Sequence, residues 1–79
     1  MMLPSRDTVL AMVRGHPDGV TIPDLIAEYA PTATATEREI LRRKMYDRLK
    51  HLEKFDMVTR TTVPARIQGG HTTTWRVCP

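Results

Sequence analysis

Between Thr36 and Val58 the chain sets Leu41, Met45, Leu49 and Leu52 at spacings of four, four and three, with mostly charged residues between them. At about 100° per residue these side chains fall on one narrow stripe of a helix, the mark of an amphipathic element packed on a core. Opposite the stripe lie Arg43, Asp47, Lys50 and Lys54, with Glu39 and His51 at the margins, so the outer face is mostly basic. Thr36 with Glu39 three residues on reads as a capping box and predicts a helix over residues 36–55, while Thr34 with Glu37 offers a competing start. Such a helix is about 30 Å long, enough to cross a small domain. Asp56 stands where a helix usually ends on glycine.

The same periodicity places two shorter helices before it. Val9, Leu10 and Val13 share a face, Ser5 can cap and Asp7 suits the positive end of the helix dipole, which predicts a helix over about 5–15. Gly15 ends it, and His16-Pro17-Asp18-Gly19 is turn chemistry, after which Val20 is expected to pair briefly with a later strand. Thr21 caps a second helix over about 21–30, with Pro23 in its first turn, Asp24 at the capping-box position, and Ile22, Leu25, Ile26 and Tyr29 facing inward. Pro31 stops it. Residues 31–36 alternate but hold no large apolar side chain, so they read as loop.

After the long helix, residues 57–63 and 72–77 are β-rich and alternate in polarity, and Gly69-Gly70 between them supplies a reversal. They read as an antiparallel hairpin, with Trp75 and Val77 on one face directed at Met57 and the long helix. The expected fold class is α+β, mostly α: three helices and a C-terminal two-stranded hairpin in one domain over 1–79.

Charge sharpens this picture. Residues 1–35 carry two arginines against four carboxylates, whereas residues 36–79 carry ten Lys and Arg against five, within a net charge of +3. That asymmetry suggests a face for a polyanion, nucleic acid before membrane; the plainer alternative is an ordinary solvated surface. The single Cys78 cannot form an internal disulfide, and the beginning MMLPSRDTVLAMVRG has neither the charged leader nor the cleavage site of a signal peptide, so a cytoplasmic location is expected, with no membrane association. At 79 residues the chain buries only about 60% of the surface its unfolded form exposes, so a partner or self-association would help it.

The order of elements, the run Met45-Tyr46-Asp47-Arg48-Leu49-Lys50-His51-Leu52-Glu53-Lys54-Phe55-Asp56-Met57-Val58-Thr59-Arg60, and the ending Trp75-Arg76-Val77 together resemble the winged helix-turn-helix family over nearly the whole chain. Two departures stand out: Asp56 replaces the usual glycine, and the stretch from Ala30 to Met45 is several residues longer than the compact pattern, so either the turn is expanded or the third helix starts early. The resemblance implies that the third helix enters a DNA major groove and the hairpin touches the backbone. Carried over, Arg42, Arg43, Lys44 and Asp47 become candidates for the groove, Arg43 for a guanine edge and Asp47 for a cytosine amine. The competing reading pairs Arg43 with Glu39 and Asp47 on the helix surface. Lys50 and His51 would reach phosphates, as would Arg66, Gln68 and His71 at the hairpin tip and Arg60 at its base. Tyr46 is expected to pack on the hairpin with its hydroxyl in water, and the threonines of the strands read as β-formers on an exposed face.

Catalysis finds no support. His16, His51 and His71 are scattered, one cysteine makes no zinc-ligand spacing, no glycine-rich phosphate loop follows a strand, and Ser5 reads as a cap. No enzyme activity, cofactor or metal is expected. The expected function is sequence-specific double-stranded DNA binding by a small transcriptional regulator acting as a homodimer. The alternatives are a winged-helix protein-interaction module anchored on Ile40, or a replication-associated nucleic-acid binder.

Overall fold

The computed structural model describes residues 2–64 and 71–79. Three helices, α1 (Arg6–Arg14), α2 (Ile22–Tyr29) and α3 (Ala35–Lys54), precede an antiparallel hairpin of β1 (Val58–Pro64) and β2 (His71–Val77). Each helix begins where a hydroxyl can accept an otherwise unpaired backbone N–H. Ser5 accepts from Thr8 at 3.1 Å, Thr21 from Asp24 at 3.3 Å and Thr34 from Glu37 at 3.2 Å. Only the last is a full capping box, because the Glu37 carboxylate also accepts from the Thr34 N–H at 3.0 Å. Thr34 therefore wins over Thr36 as the start of α3, and the long stretch before Met45 is an early helix rather than an expanded turn.

The end of α3 is equally local. Asp56 takes φ 59°, its N–H donates to the Glu53 carbonyl at 3.0 Å, and the Met57 N–H donates to the Leu52 carbonyl at 2.9 Å. That pair of bonds is a Schellman motif, with aspartate in the left-handed position that glycine normally takes. It also corrects the expected strand boundary and the expected apolar target. Met57 belongs to the turn and is exposed, while Val58 opens β1 and is buried.

The core joins all the elements. Val9, Leu10 and Val13 of α1, Leu25 and Ile26 of α2, Leu41, Met45, Leu49 and Leu52 of α3, and Val20, Val58 and Trp75 form one cluster. Full burial of such a side chain contributes roughly 1.5–3 kcal/mol, so the α3 stripe alone is a large share of the driving force. The hairpin is tied to the helices through Val20, whose N–H donates to the Trp75 carbonyl at 2.9 Å and whose carbonyl accepts from the Trp75 N–H at 2.8 Å. Gly19 makes this approach possible. Its φ is +105°, and a β-carbon there would sit 3.3 Å from that of Thr74.

Candidate nucleic-acid interface

The buried stripe of helix α3 begins at Leu41; ahead of it Ala35, Arg38 and Glu39 line an open groove with Ile26 and Ala27 of α2. Beside this stripe the helix has two flanks, and the tertiary structure treats them differently. On one flank α3 faces the hairpin and the start of α2, where Arg42, Tyr46 and Arg60 line an open groove together with Thr21, Thr73 and Trp75. On the other it faces the N-terminal arm and α1. There the Arg48 guanidinium lies 3.4 Å from the Pro4 carbonyl, and Arg6 Nη1 donates to His51 Nε2 at 3.0 Å.

The hairpin flank is a compact array of cations and rings. Tyr46 meets Trp75 edge to face with centroids 6.2 Å apart, Lys50 Nζ lies 5.7 Å from the Tyr46 ring centre, and the Arg60 guanidinium lies 5.5 Å from that of Trp75. Arg60 comes from β1, where it stands directly opposite Trp75 in the register, so its stem lies along the indole before its head reaches α3. There it makes a long 3.4 Å contact to the Tyr46 hydroxyl and pairs with Glu53 at 3.3 Å. The hydroxyl contact, and secondarily Glu53, hold the Arg60 pKa above its usual value. The expected wet hydroxyl on Tyr46 is thus in fact close to a guanidinium.

Arg42 donates to Glu39 through two of its three guanidinium nitrogens, Nε to Oε2 at 3.2 Å and Nη2 to Oε1. This hydrogen-bonded pair lowers the Glu39 pKa and raises that of Arg42. It also revises the expected surface pairing. Glu39 serves Arg42 first and lies 3.8 Å from Arg43, while Asp47 makes no ion pair among the described residues. Arg43 is left with its side chain 75% exposed, on the face pointing away from the core.

The candidates from the sequence are therefore distributed rather than gathered. Arg42, Lys50 and Arg60 share the hairpin flank, Arg43 and Asp47 point outward beside it, and Lys44 and His51 belong to the α1 side at positions four before and three after Arg48. His71 pairs with Pro64 at the far end of the ladder. Arg66, Gln68 and the two glycines between the strands lie outside the described residues. Sequence reasoning missed Glu53 as the partner of Arg60, seven residues apart across the helix–strand turn, and missed the Thr21, Thr72 and Thr73 hydroxyl side chains that edge the groove. The Glu39–Arg42 pair carried a signal, its three-residue spacing on a helix.

Among the described residues no cluster of three or more His, Cys, Asp or Glu side chains is placed to hold a metal ion, and no helix is long and apolar enough to cross a membrane. No protein-family model, curated protein or solved structure matches the chain.

Proposed function

We propose that this protein binds double-stranded DNA in the cytoplasm as a small, non-catalytic transcriptional regulator, with α3 in the major groove and the hairpin along the backbone. The observation that carries the proposal is the hairpin flank of α3, where Arg42, Lys50 and Arg60 stand beside the outward Arg43, four cations against the carboxylates of Glu39 and Glu53. A helix of about 10–12 Å diameter with that edge fits a major groove about 12 Å wide. Arg43 is the most exposed of the three arginines and is assigned the base edge; Lys50, on the same side about two turns along, is assigned a phosphate. Arg42 and Arg60 must release or share a carboxylate to bind one, which makes them positioning residues that hold the groove open rather than first points of contact.

The test is fluorescence anisotropy of the full chain on a random duplex at several salt concentrations. Log K is expected to fall linearly with log salt at about 0.9 per phosphate engaged. Lys50→Ala should reduce that slope by about one and weaken all sequences alike, whereas Arg43→Ala should relax discrimination at one base of a selected site at a cost of about 1–3 kcal/mol. Absence of binding at low salt would overturn the proposal and favour the protein-interaction reading, for which the exposed Ile40 near the start of α3 is the anchor.

A further inference from the structure

Phe55 and Met57 are among the six large apolar side chains exposed in the described residues, 60% and 47% exposed respectively. They flank Asp56 at the end of α3 and line one groove of about 490 Å³ with Leu10 and Leu52, rimmed by Arg6 and Asp7. The backbone beneath Phe55 is fixed by the two Schellman hydrogen bonds. Its ring is fixed as well, stacked on His51 with centroids 5.1 Å apart and planes at 28°, and His51 is in turn held by Arg6. A projecting ring already ordered in this way loses little side-chain entropy on docking.

We propose that this groove is the interface of a homodimer in which Phe55 of each protomer enters the groove of its partner. A two-fold contact must be self-complementary, with each patch supplying both what protrudes and what receives. This patch does both: Phe55 protrudes, and Leu10, Leu52 and Met57 form the floor and wall that receive it. Its charges obey the same rule. The two charged residues on the rim, Arg6 and Asp7, are adjacent and opposite in sign, so a two-fold axis passing between them sets each Arg6 against an Asp7 of the other protomer, and this is the axis the proposal takes. A polyanion or an acidic peptide would find Asp7 in its way. The groove belongs to the α1 side of α3, so the dimer leaves both hairpin flanks uncovered and does not depend on the DNA reading.

Sedimentation equilibrium of the full chain tests the proposal. The wild type is expected to dimerise with Kd tighter than about 100 μM, and Phe55→Asp to weaken association roughly 100-fold while far-UV circular dichroism stays unchanged, since the ring is exposed. Asp7→Arg alone and Arg6→Asp alone each put like charges face to face at both rims and should weaken it about tenfold. An equimolar mixture of these two variants restores opposite charges at both rims and should associate more tightly than either alone. Thr32→Glu, exposed in the turn between α2 and α3 and not part of this groove, serves as the control that leaves Kd unchanged. A wild type still monomeric at about 1 mM, a Phe55→Asp variant as dimeric as the wild type, or a mixture no tighter than its components would each overturn the proposal.

Discussion

Asp56 carries a positive φ of 59° because the chain must reverse between α3 and β1 within three residues. An L-residue with a β-carbon is strained there, less so aspartate than a branched residue, and glycine not at all. Asp56→Gly is expected to stabilise the protein by about 1 kcal/mol, the relief exceeding the added freedom of the unfolded chain, and to raise Tm by about 4–8 °C in thermal denaturation. Glu37 works at the same scale. Its bonds to the backbone and then the hydroxyl of Thr34 hold its carboxyl below the ordinary glutamate range, and Arg42 does the same for Glu39. A folded-state pKa lower than the unfolded one stabilises the fold above the unfolded value, about 4.3, and that contribution is lost as pH falls through the lower folded value. Tm measured from pH 7 downward should therefore decline below about pH 5, and the double variant Glu37→Gln, Glu39→Gln should flatten that decline.

At the scale of the element, α3 shows how one helix serves two neighbours. Two caps competed for its start, and the one chosen forms both reciprocal hydrogen bonds. Thr34→Ala is expected to cost about 1 kcal/mol in urea denaturation, and Thr36→Ala, inside the first turn, a few tenths at most. The early start also leaves the Glu39 carboxylate out of the cap, free to bind Arg42. The hairpin shows the complementary case. Its register sets Arg60 opposite Trp75, and only the packing of that hairpin on α3 brings the guanidinium to Tyr46 and Glu53. Arg60→Ala should lower affinity for all duplexes through the loss of the Tyr46 contact and the Trp75 cover, and Arg60→Lys should recover less than half of the lost free energy, since ammonium offers no planar face to the indole. Anisotropy on a random duplex checks both.

For the whole molecule the decisive fact is the small size of the core. One cluster of buried side chains holds three helices and a hairpin together, and Trp75 is the largest of them, 1% exposed. Its indole nitrogen is buried without a hydrogen-bond partner, a cost the packing of the ring must offset. Trp75→Ala is expected to destabilise by about 3–5 kcal/mol, enough to unfold a domain of this length, with loss of both the far-UV signal and any DNA binding. The same thin margin gives the Phe55 groove its significance. Dimerisation would add stability by mass action, so Tm of the wild type should rise with protein concentration and that of Phe55→Asp should not.

The local half of this protein was legible in its residues. The stripe of Leu41, Met45, Leu49 and Leu52, the caps at Ser5 and Thr21 and the glycine turn at Gly19 all rest on couplings that short-range backbone geometry enforces. They therefore determine the order of elements, three helices and a hairpin, without reference to the rest of the chain. Where two local rules were equally good, as at Thr34 and Thr36, the pattern left both open, and the second hydrogen bond of the capping box decided. What only the tertiary structure decided is which flank of α3 meets which neighbour. Arg6 and His51 lie 45 residues apart and Arg60 and Tyr46 lie 14 apart, and no periodicity relates them. Those contacts follow from the way the helices and hairpin close around one core, because burial of apolar surface is non-directional and the charged side chains are carried to wherever that packing leaves them.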